Sequence, residues 1–315
     1  MNRPDVVVLG AGIIGLVTAW RLRAQGFVVE VWTREEPEQT TSAVAGAIWY
    51  PFMAEPRERV AAWSAFTFQR LRELALEPDT GVHMQSVVEV FDHEEPDLWW
   101  AAAVPGLVRL ATDEVPAGYR AAVRVDVPVC EVPVHTQWLL RGLRGQGVTF
   151  VQREVASLDE ALAAANIVVN CTGLGARELC ADDELQAVRG QVLRLKGANM
   201  PHAWIDDTGD GPCYVIPRGD GLVVGGTAQI GDERMSVDDR DSDAILERAT
   251  RAFPQLRDAQ VLATRVGLRP YRSTVRLEEE SRSDGSRLIH NYGHGGSGYT
   301  LAWGCAEDVA SLLTS

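Results

Sequence analysis

Two arginines stand close together late in the chain, in Gly267-Leu268-Arg269-Pro270-Tyr271-Arg272. A planar guanidinium suits a bidentate grip on a carboxylate. The apolar Val266 and Leu268 before Arg269, and Pro270 after it, predict partial burial and a bound anion. The competing reading is a surface ion pair. Arg272 and Arg276 alternate along a strand and read as solvent or structural charges. Downstream runs His290-Asn291-Tyr292-Gly293-His294-Gly295-Gly296-Ser297-Gly298-Tyr299-Thr300. Its glycines permit close backbone contact with a flat ring. A helix from about Tyr299 to Leu313 would aim its positive N-terminus at that ring. His290 and His294 have the spacing that binds metal on a helix. Here they flank Gly293 in a loop, without a carboxylate or cysteine to complete a set, so no metal is expected. The arrangement predicts a redox-active ring and a small anion held face to face.

Such a ring needs a scaffold, and the N-terminus offers one. Val6-Val7-Val8-Leu9 is a continuous apolar run, as in a parallel strand buried on both faces. Gly10-Ala11-Gly12-Ile13-Ile14-Gly15 follows, then a helix over Leu16–Gln25 closed by Gly26, then a strand over Phe27–Trp32. This is the dinucleotide fingerprint in its proper strand-turn-helix context. Gly10 allows the turn, Gly12 lets backbone N–H groups approach a pyrophosphate, and Gly15 lets helix and strand pack closely. The acid expected on the ribose falls at Glu35, with Arg34 where an acid often stands; a solvated turn is the alternative for both. Thr40 to Met53 is a small-residue loop that turns apolar at Trp49-Tyr50-Pro51-Phe52. Thr41, Ser42, Gly46 and Ala47 are its candidates for phosphate or ring contact. Val148–Val151 and Ile167–Asn170 read as further strands, the second ending at Thr172-Gly173. A nicotinamide enzyme usually completes its nucleotide domain in one stretch. Returns at the start, middle and end of the chain suit the longer flavin adenine dinucleotide, FAD.

With 315 residues the chain has room for one large domain or two intertwined ones. Its formal net charge of −14 argues against a nucleic-acid partner. A few buried arginines can still dominate a local field and hold an anionic substrate. The 5 cysteines include no C-x-x-C pair, and a reduced, cytoplasmic protein is expected. No apolar run reaches membrane-spanning length, so no membrane partner is expected.

Taken in order, Gly10–Gly15, Ala45-Gly46-Ala47-Ile48-Trp49-Tyr50-Pro51-Phe52, Val169-Asn170-Cys171-Thr172-Gly173, Arg189-Gly190-Gln191, Gly267-Leu268-Arg269-Pro270 and His290–Gly296 resemble the D-amino-acid oxidase family of FAD-dependent oxidases. The match spans essentially the whole chain, and the His-Asn-Tyr-Gly-His-Gly-Gly run is its most specific part. The resemblance implies an α/β (α+β overall) fold, a Rossmann-like FAD-binding domain with an interleaved antiparallel-sheet substrate domain. The expected division is 1–52, 136–190 and 265–315 for FAD, and 53–135 and 191–264 for substrate. The implied reaction is oxidative deamination: the α-hydrogen leaves as hydride to flavin N5, the imino acid hydrolyses to a 2-oxo acid and ammonia, and dioxygen returns as hydrogen peroxide.

By position, the resemblance puts the substrate carboxylate on Arg269 and Tyr214 and the substrate amine on the Gly296 carbonyl. Tyr214 also reads as a buried strand aromatic with a satisfied hydroxyl. The expected FAD contacts are Gly10, Ala11, Gly12, Ile13, Ile14, Gly15, Arg34, Glu35, Thr41, Ser42, Gly46, Ala47, Val155, Thr172, Gly173, His294, Gly295, Gly298, Tyr299 and Thr300. Asp210 stands where lid-bearing members carry a second tyrosine, which suggests a more open cavity. Ala228 follows Gly225-Gly226-Thr227 where the D-aspartate branch places an arginine, which favours neutral D-amino acids. A homodimer is compatible. Rival readings are a glycine/sarcosine-type or D-aspartate-type amine oxidase, a noncatalytic flavin-binding module and a nicotinamide dehydrogenase.

Overall fold

The computed structural model describes residues 3–196, 199–219, 221–280 and 282–314. Five neighbouring strands are parallel, in the spatial order Arg287–His294, Ile167–Asn170, Val6–Leu9, Val29–Thr33 and Thr149–Gln152. Val6–Leu9 lies at the centre and is at most 1% exposed, which explains its uninterrupted apolar sequence. Val6 and Val8 face helices Ile13–Ala24, Val132–Gly145 and Gly298–Thr314. Val7 and Leu9 face the short helix Leu158–Ala164 on the other side.

The first turn shows why it is glycine-rich. Gly10 has φ +100°, and a Cβ on Gly15 would come within 1.9 Å of the Gly10 carbonyl oxygen. Helix and strand therefore touch through bare backbone. The helix starts at Ile13, earlier than the expected Leu16, because Gly12 is already its N-cap.

The rest of the sheet is mainly antiparallel. Gln260–Glu280 pairs with Arg287–His294 on one side and Gln186–Lys196 on the other. Beyond follow Gly221–Gly225, Cys213–Arg218, Ala203–Asp206, Val82–Phe91, Ala121–Cys130 and Val108–Arg109. Helix Asp239–Ala252 covers part of this half through Ile245 and Ala249. The boundaries expected at 190/191 and 264/265 fall inside strands that run on unbroken. Those two strands carry the sheet from its parallel half to its antiparallel half, and the candidate site lies along that seam.

The late strand runs through His294, across the stretch around Gly293 expected to be a loop. The two histidines are thus strand residues, roughly 13 Å of rise apart. His290 Nε2 lies 3.1 Å from Glu280 Oε2. His294 faces the cavity described next. Among the described residues, no helix is long and apolar enough to cross a membrane.

Candidate active site

A cavity of about 990 Å³ runs along the C-terminal ends of the parallel strands and under the antiparallel sheet. That volume lies at the upper end for small-molecule and cofactor sites. At one end Gly10, Ala11, Gly12, Ile13 and Ile14 line it, with Arg34, Glu35 and Val155. The first helix has no acidic residue in its first turn and no side-chain cap, so its positive end is open to an anion. Ser42 Oγ accepts from Ile13 N at 3.0 Å, pinning the following loop beside the turn. Thr41 donates to the Leu268 carbonyl at 3.1 Å, tying the same loop to the long strand. Arg34 is exposed and Glu35 half-buried, and they pair with each other at 3.0 Å, so their charges partly cancel at the cavity edge.

Midway, Gly46, Ala47, Thr172, Gly173, His294, Gly295, Gly298 and Tyr299 line the cavity. Thr172 donates to Asn170 Oδ1 at 2.7 Å, which fixes the turn after its strand. Gly295 has φ +54°, and a Cβ there would come within 2.0 Å of the Met53 carbonyl oxygen. Its N–H donates to the Pro270 carbonyl at 2.8 Å, and the Gly296 N–H to the Phe52 carbonyl at 3.2 Å. The glycine run is clamped between two segments while the Gly296 carbonyl accepts no hydrogen bond among the described residues. Helix Gly298–Thr314 starts here, again with no acid in its first turn. His294 is 2% exposed, and burial lowers its pKa to about 3, so its ring is neutral. Its Nε2 and the Oδ1 of neighbouring Asn291, also on the cavity wall, have no partner among the described residues.

At the far end stand Arg269 and Tyr214. Arg269 is half-buried and donates Nη1–H to the Thr227 carbonyl at 2.8 Å. Its guanidinium lies against Gly190, where a Cβ would come within 2.5 Å of Nη1. Arg269 makes no ion pair among the described residues. Burial raises the Tyr214 pKa, and the neighbouring Arg269 cation works against that rise. Asp207 lines the same end, and lies near enough to raise Tyr214 further. Tyr50 also lines the cavity and donates its hydroxyl to Glu89 at 2.7 Å. Burial lifts the Glu89 carboxyl to about 7, so Glu89 is largely protonated below neutral pH.

Sequence comparison matches residues 5–312 to the family described as FAD dependent oxidoreductase. A D-amino-acid oxidase from Rubrobacter xylanophilus is 46% identical over 97% of this chain and 94% of its own. One from Streptomyces coelicolor is 42% identical over 98% of this chain and 97% of its own. The chain belongs to the D-amino-acid oxidase family of FAD-dependent oxidoreductases. Its fold matches that of glycine oxidase from Geobacillus kaustophilus, with a TM-score of 0.84 over 100% of this chain and 95% of that one, at 19% identity.

FAD fits what the family member presents. The cavity is long, two helix N-termini open onto it, glycine backbone lines its middle, and two buried polar atoms await a partner. Of the residues expected at the cofactor, 2 are absent from the lining. Gly15 packs against the Gly10 carbonyl. Thr300 donates to the Tyr50 carbonyl at 3.0 Å and accepts from the Tyr50 N–H at 3.1 Å, so it positions the loop rather than facing the cavity. Arg272 is also outside, paired with Asp182 at 3.0 Å and Glu184 at 3.3 Å.

Four polar or aromatic residues near these motifs divide between cavity wall and support. Tyr50 lines the cavity. Trp49 is core and donates to the Ser64 carbonyl at 2.9 Å. Gln229 serves Arg189 at 2.8 Å. Ser297 ties down both the N–H and the carbonyl of Phe52, at 2.7 and 2.8 Å. Sequence reasoning missed Phe52, Asp207 and Gly190 as site residues. Asp207 carried a faint signal, the repeated acid of Asp206-Asp207 before a glycine turn. Gly190 was marked only by the Arg189-Gly190-Gln191 run, since its role is set by a guanidinium from another strand.

Proposed function

We propose that this enzyme oxidises neutral D-amino acids to 2-oxo acids, releasing ammonia and hydrogen peroxide. One observation carries the reading: Arg269 is a half-buried cavity arginine with no carboxylate partner among the described residues, in a chain of net charge −14. A desolvated cation left unpaired at a cavity is an anion site in waiting. The relatives named D-amino-acid oxidase supply the substrate class and the D configuration.

In this reading Gly10 to Ile14, Ser42, Gly46, Ala47, Thr172, Gly173 and Gly295 to Tyr299 would hold FAD, with the two helix N-termini available to its negative charge and Arg34 and Glu35 to its adenosine end. When bound, FAD supplies the two-electron acceptor for the α-hydrogen, and dioxygen takes those electrons on as peroxide. The protein's part is to position and to select charge states. Arg269 holds the substrate carboxylate in two charge-assisted hydrogen bonds, and the Tyr214 hydroxyl adds a neutral one. The free Gly296 carbonyl accepts from the substrate amine, and carboxylate and amine together fix the α-carbon. The amine must be neutral to release hydride, and the resulting imine hydrolyses after release. No side chain is needed as base, and the neutral His294 ring beside the site does not compete for the proton.

The other cations on the cavity wall, Arg34 and Arg153, lie at the opposite end beside Glu35 and Glu154. Among the described residues that line the cavity, no second cation accompanies Arg269 at its end, in keeping with Ala228. A peroxide assay tests the reading, with D-alanine, D-valine, D-aspartate, glycine and sarcosine as substrates. D-Alanine and D-valine should dominate. Strong preference for glycine or sarcosine overturns the proposal.

A further inference from the structure

Most charges around the Arg269 end of the cavity are spoken for. Asp206 Oδ2 accepts from the Tyr119 hydroxyl at 2.5 Å, and its Oδ1 accepts from Thr208 N at 3.0 Å and Thr208 Oγ1 at 2.7 Å. Glu89 accepts from Tyr50. The exception among the carboxylates is Asp207. It follows the strand Ala203–Asp206, it is exposed, and it lines the cavity. Its carboxylate takes no hydrogen bond and no ion pair among the described residues. Surrounding protein raises its pKa to about 6, Asp206 adds to the rise, and no cation opposes it.

Two facts place this carboxylate within the substrate's reach. Asp206 pairs with Cys213, the chain neighbour of Tyr214, so Asp207 follows at the Tyr214 end of the cavity that Arg269 also lines. Glu89, behind Tyr50, is also raised by Asp207. The cavity end is therefore bipolar: among the described residues Arg269 makes no ion pair and Asp207 has no protein partner, and both line the cavity with Tyr214. An α-amino acid anchored by its carboxylate on Arg269 must direct its side chain elsewhere in this space. A carboxylate with no protein donor gains most from a donor that the ligand brings.

We propose that Asp207 is a specificity residue that receives a positively charged substrate side chain, such as the terminal ammonium of D-ornithine, while Arg269 holds the α-carboxylate. This rests on the oxidase reading of the same cavity and widens it. Neutral D-amino acids bind without the extra contact, basic ones gain it, and acidic ones meet a like charge.

The test uses the FAD-loaded enzyme with D-ornithine and D-norleucine. Their side chains have the same length and differ in ending with ammonium or methyl. At about pH 8 the ammonium is charged and Asp207 is ionised. Wild type should oxidise both, and Asp207→Asn should lower the ornithine-to-norleucine ratio of kcat/KM about tenfold, as expected for loss of a charged partner. Should the Asn variant lose its flavin, Asp207→Ser is measured with the same pair and the same expectation. An unchanged ratio overturns the proposal, and so does wild type that oxidises D-norleucine but not D-ornithine. Failure to oxidise any D-amino acid would instead bring down the oxidase reading, and this proposal with it.

Discussion

Arg189 and Arg269 stand on neighbouring strands, with Arg189 directly opposite Leu268. Their surroundings could hardly differ more. Arg189 is 0% exposed and its guanidinium is saturated: it donates to the Arg234 and Ser236 carbonyls, to Gln229 and Gln191, and to Asp241 at 2.6 Å. Arg269 donates to one carbonyl, that of Thr227. A buried cation with every donor occupied holds a fold together. One with donors to spare, facing a cavity, holds a ligand. The difference lies in the 227–241 segment, which wraps Arg189 with acceptors and leaves Arg269 one.

Opposite phenotypes should follow, and the largest effect belongs to Arg189. Arg189→Met removes the charged donor from Asp241 and empties a fully occupied buried network, and should cost about 3–5 kcal/mol of stability. Denaturant unfolding measures it, and an unmoved midpoint would mean the network contributes nothing. Arg269→Leu should instead leave the melt and the yellow flavin intact. It should lower kcat/KM for D-alanine by about 3 kcal/mol, on the order of a hundredfold. If Arg269→Leu melts early while Arg189→Met does not, the comparison is inverted.

A smaller effect comes from buried histidine and sharpens the contrast with the always-charged arginines. His135 is fully buried, with Nδ1 at 2.8 Å from the Thr80 carbonyl, and burial lowers its pKa from 6.5 to about 4. Below pH 6.5 the unfolded chain binds a proton there that the folded chain refuses. Its contribution to stability is complete above pH 6.5 and is lost as pH falls toward 4. Between pH 7 and pH 5 the loss should be about 2 kcal/mol, and His135→Leu should flatten the profile by that amount. An equally steep profile in the variant would show that other groups govern acid unfolding. Smallest of all, Tyr214→Phe removes one neutral hydrogen bond, worth about 1 kcal/mol or some fivefold in KM, with the melt unchanged. A hundredfold loss there would make Tyr214, rather than Arg269, the main anchor.

Elements with a strictly local cause were legible in the sequence. The Val6–Gly15 unit is dictated by burial on both faces and by a turn that tolerates no Cβ at Gly15. The glycine run at 293–298 was legible for the same reason, and Arg269 stood out by its apolar neighbours. Assignments that depend on distant partners were hidden. Gly15 and Thr300 carry the right residue types for cofactor contact, yet one is consumed by the Gly10 carbonyl and the other by Tyr50. Asp207 and Gly190 gain meaning from the sheet pairing that brings residues 190, 207, 214 and 269 to one cavity end. The boundaries expected at 190 and 264 fall inside strands because each long strand crosses from one half of the sheet to the other, which no local pattern marks.

The central claim is that Arg269 is the cavity's anchor for the substrate carboxylate beside a bound flavin. Anaerobic titration of the yellow enzyme with D-alanine tests it most directly, in wild type and in Arg269→Leu. The account predicts that wild type bleaches fully at concentrations that leave the variant yellow, with L-alanine bleaching neither. Superimposable titrations of the two proteins would contradict it.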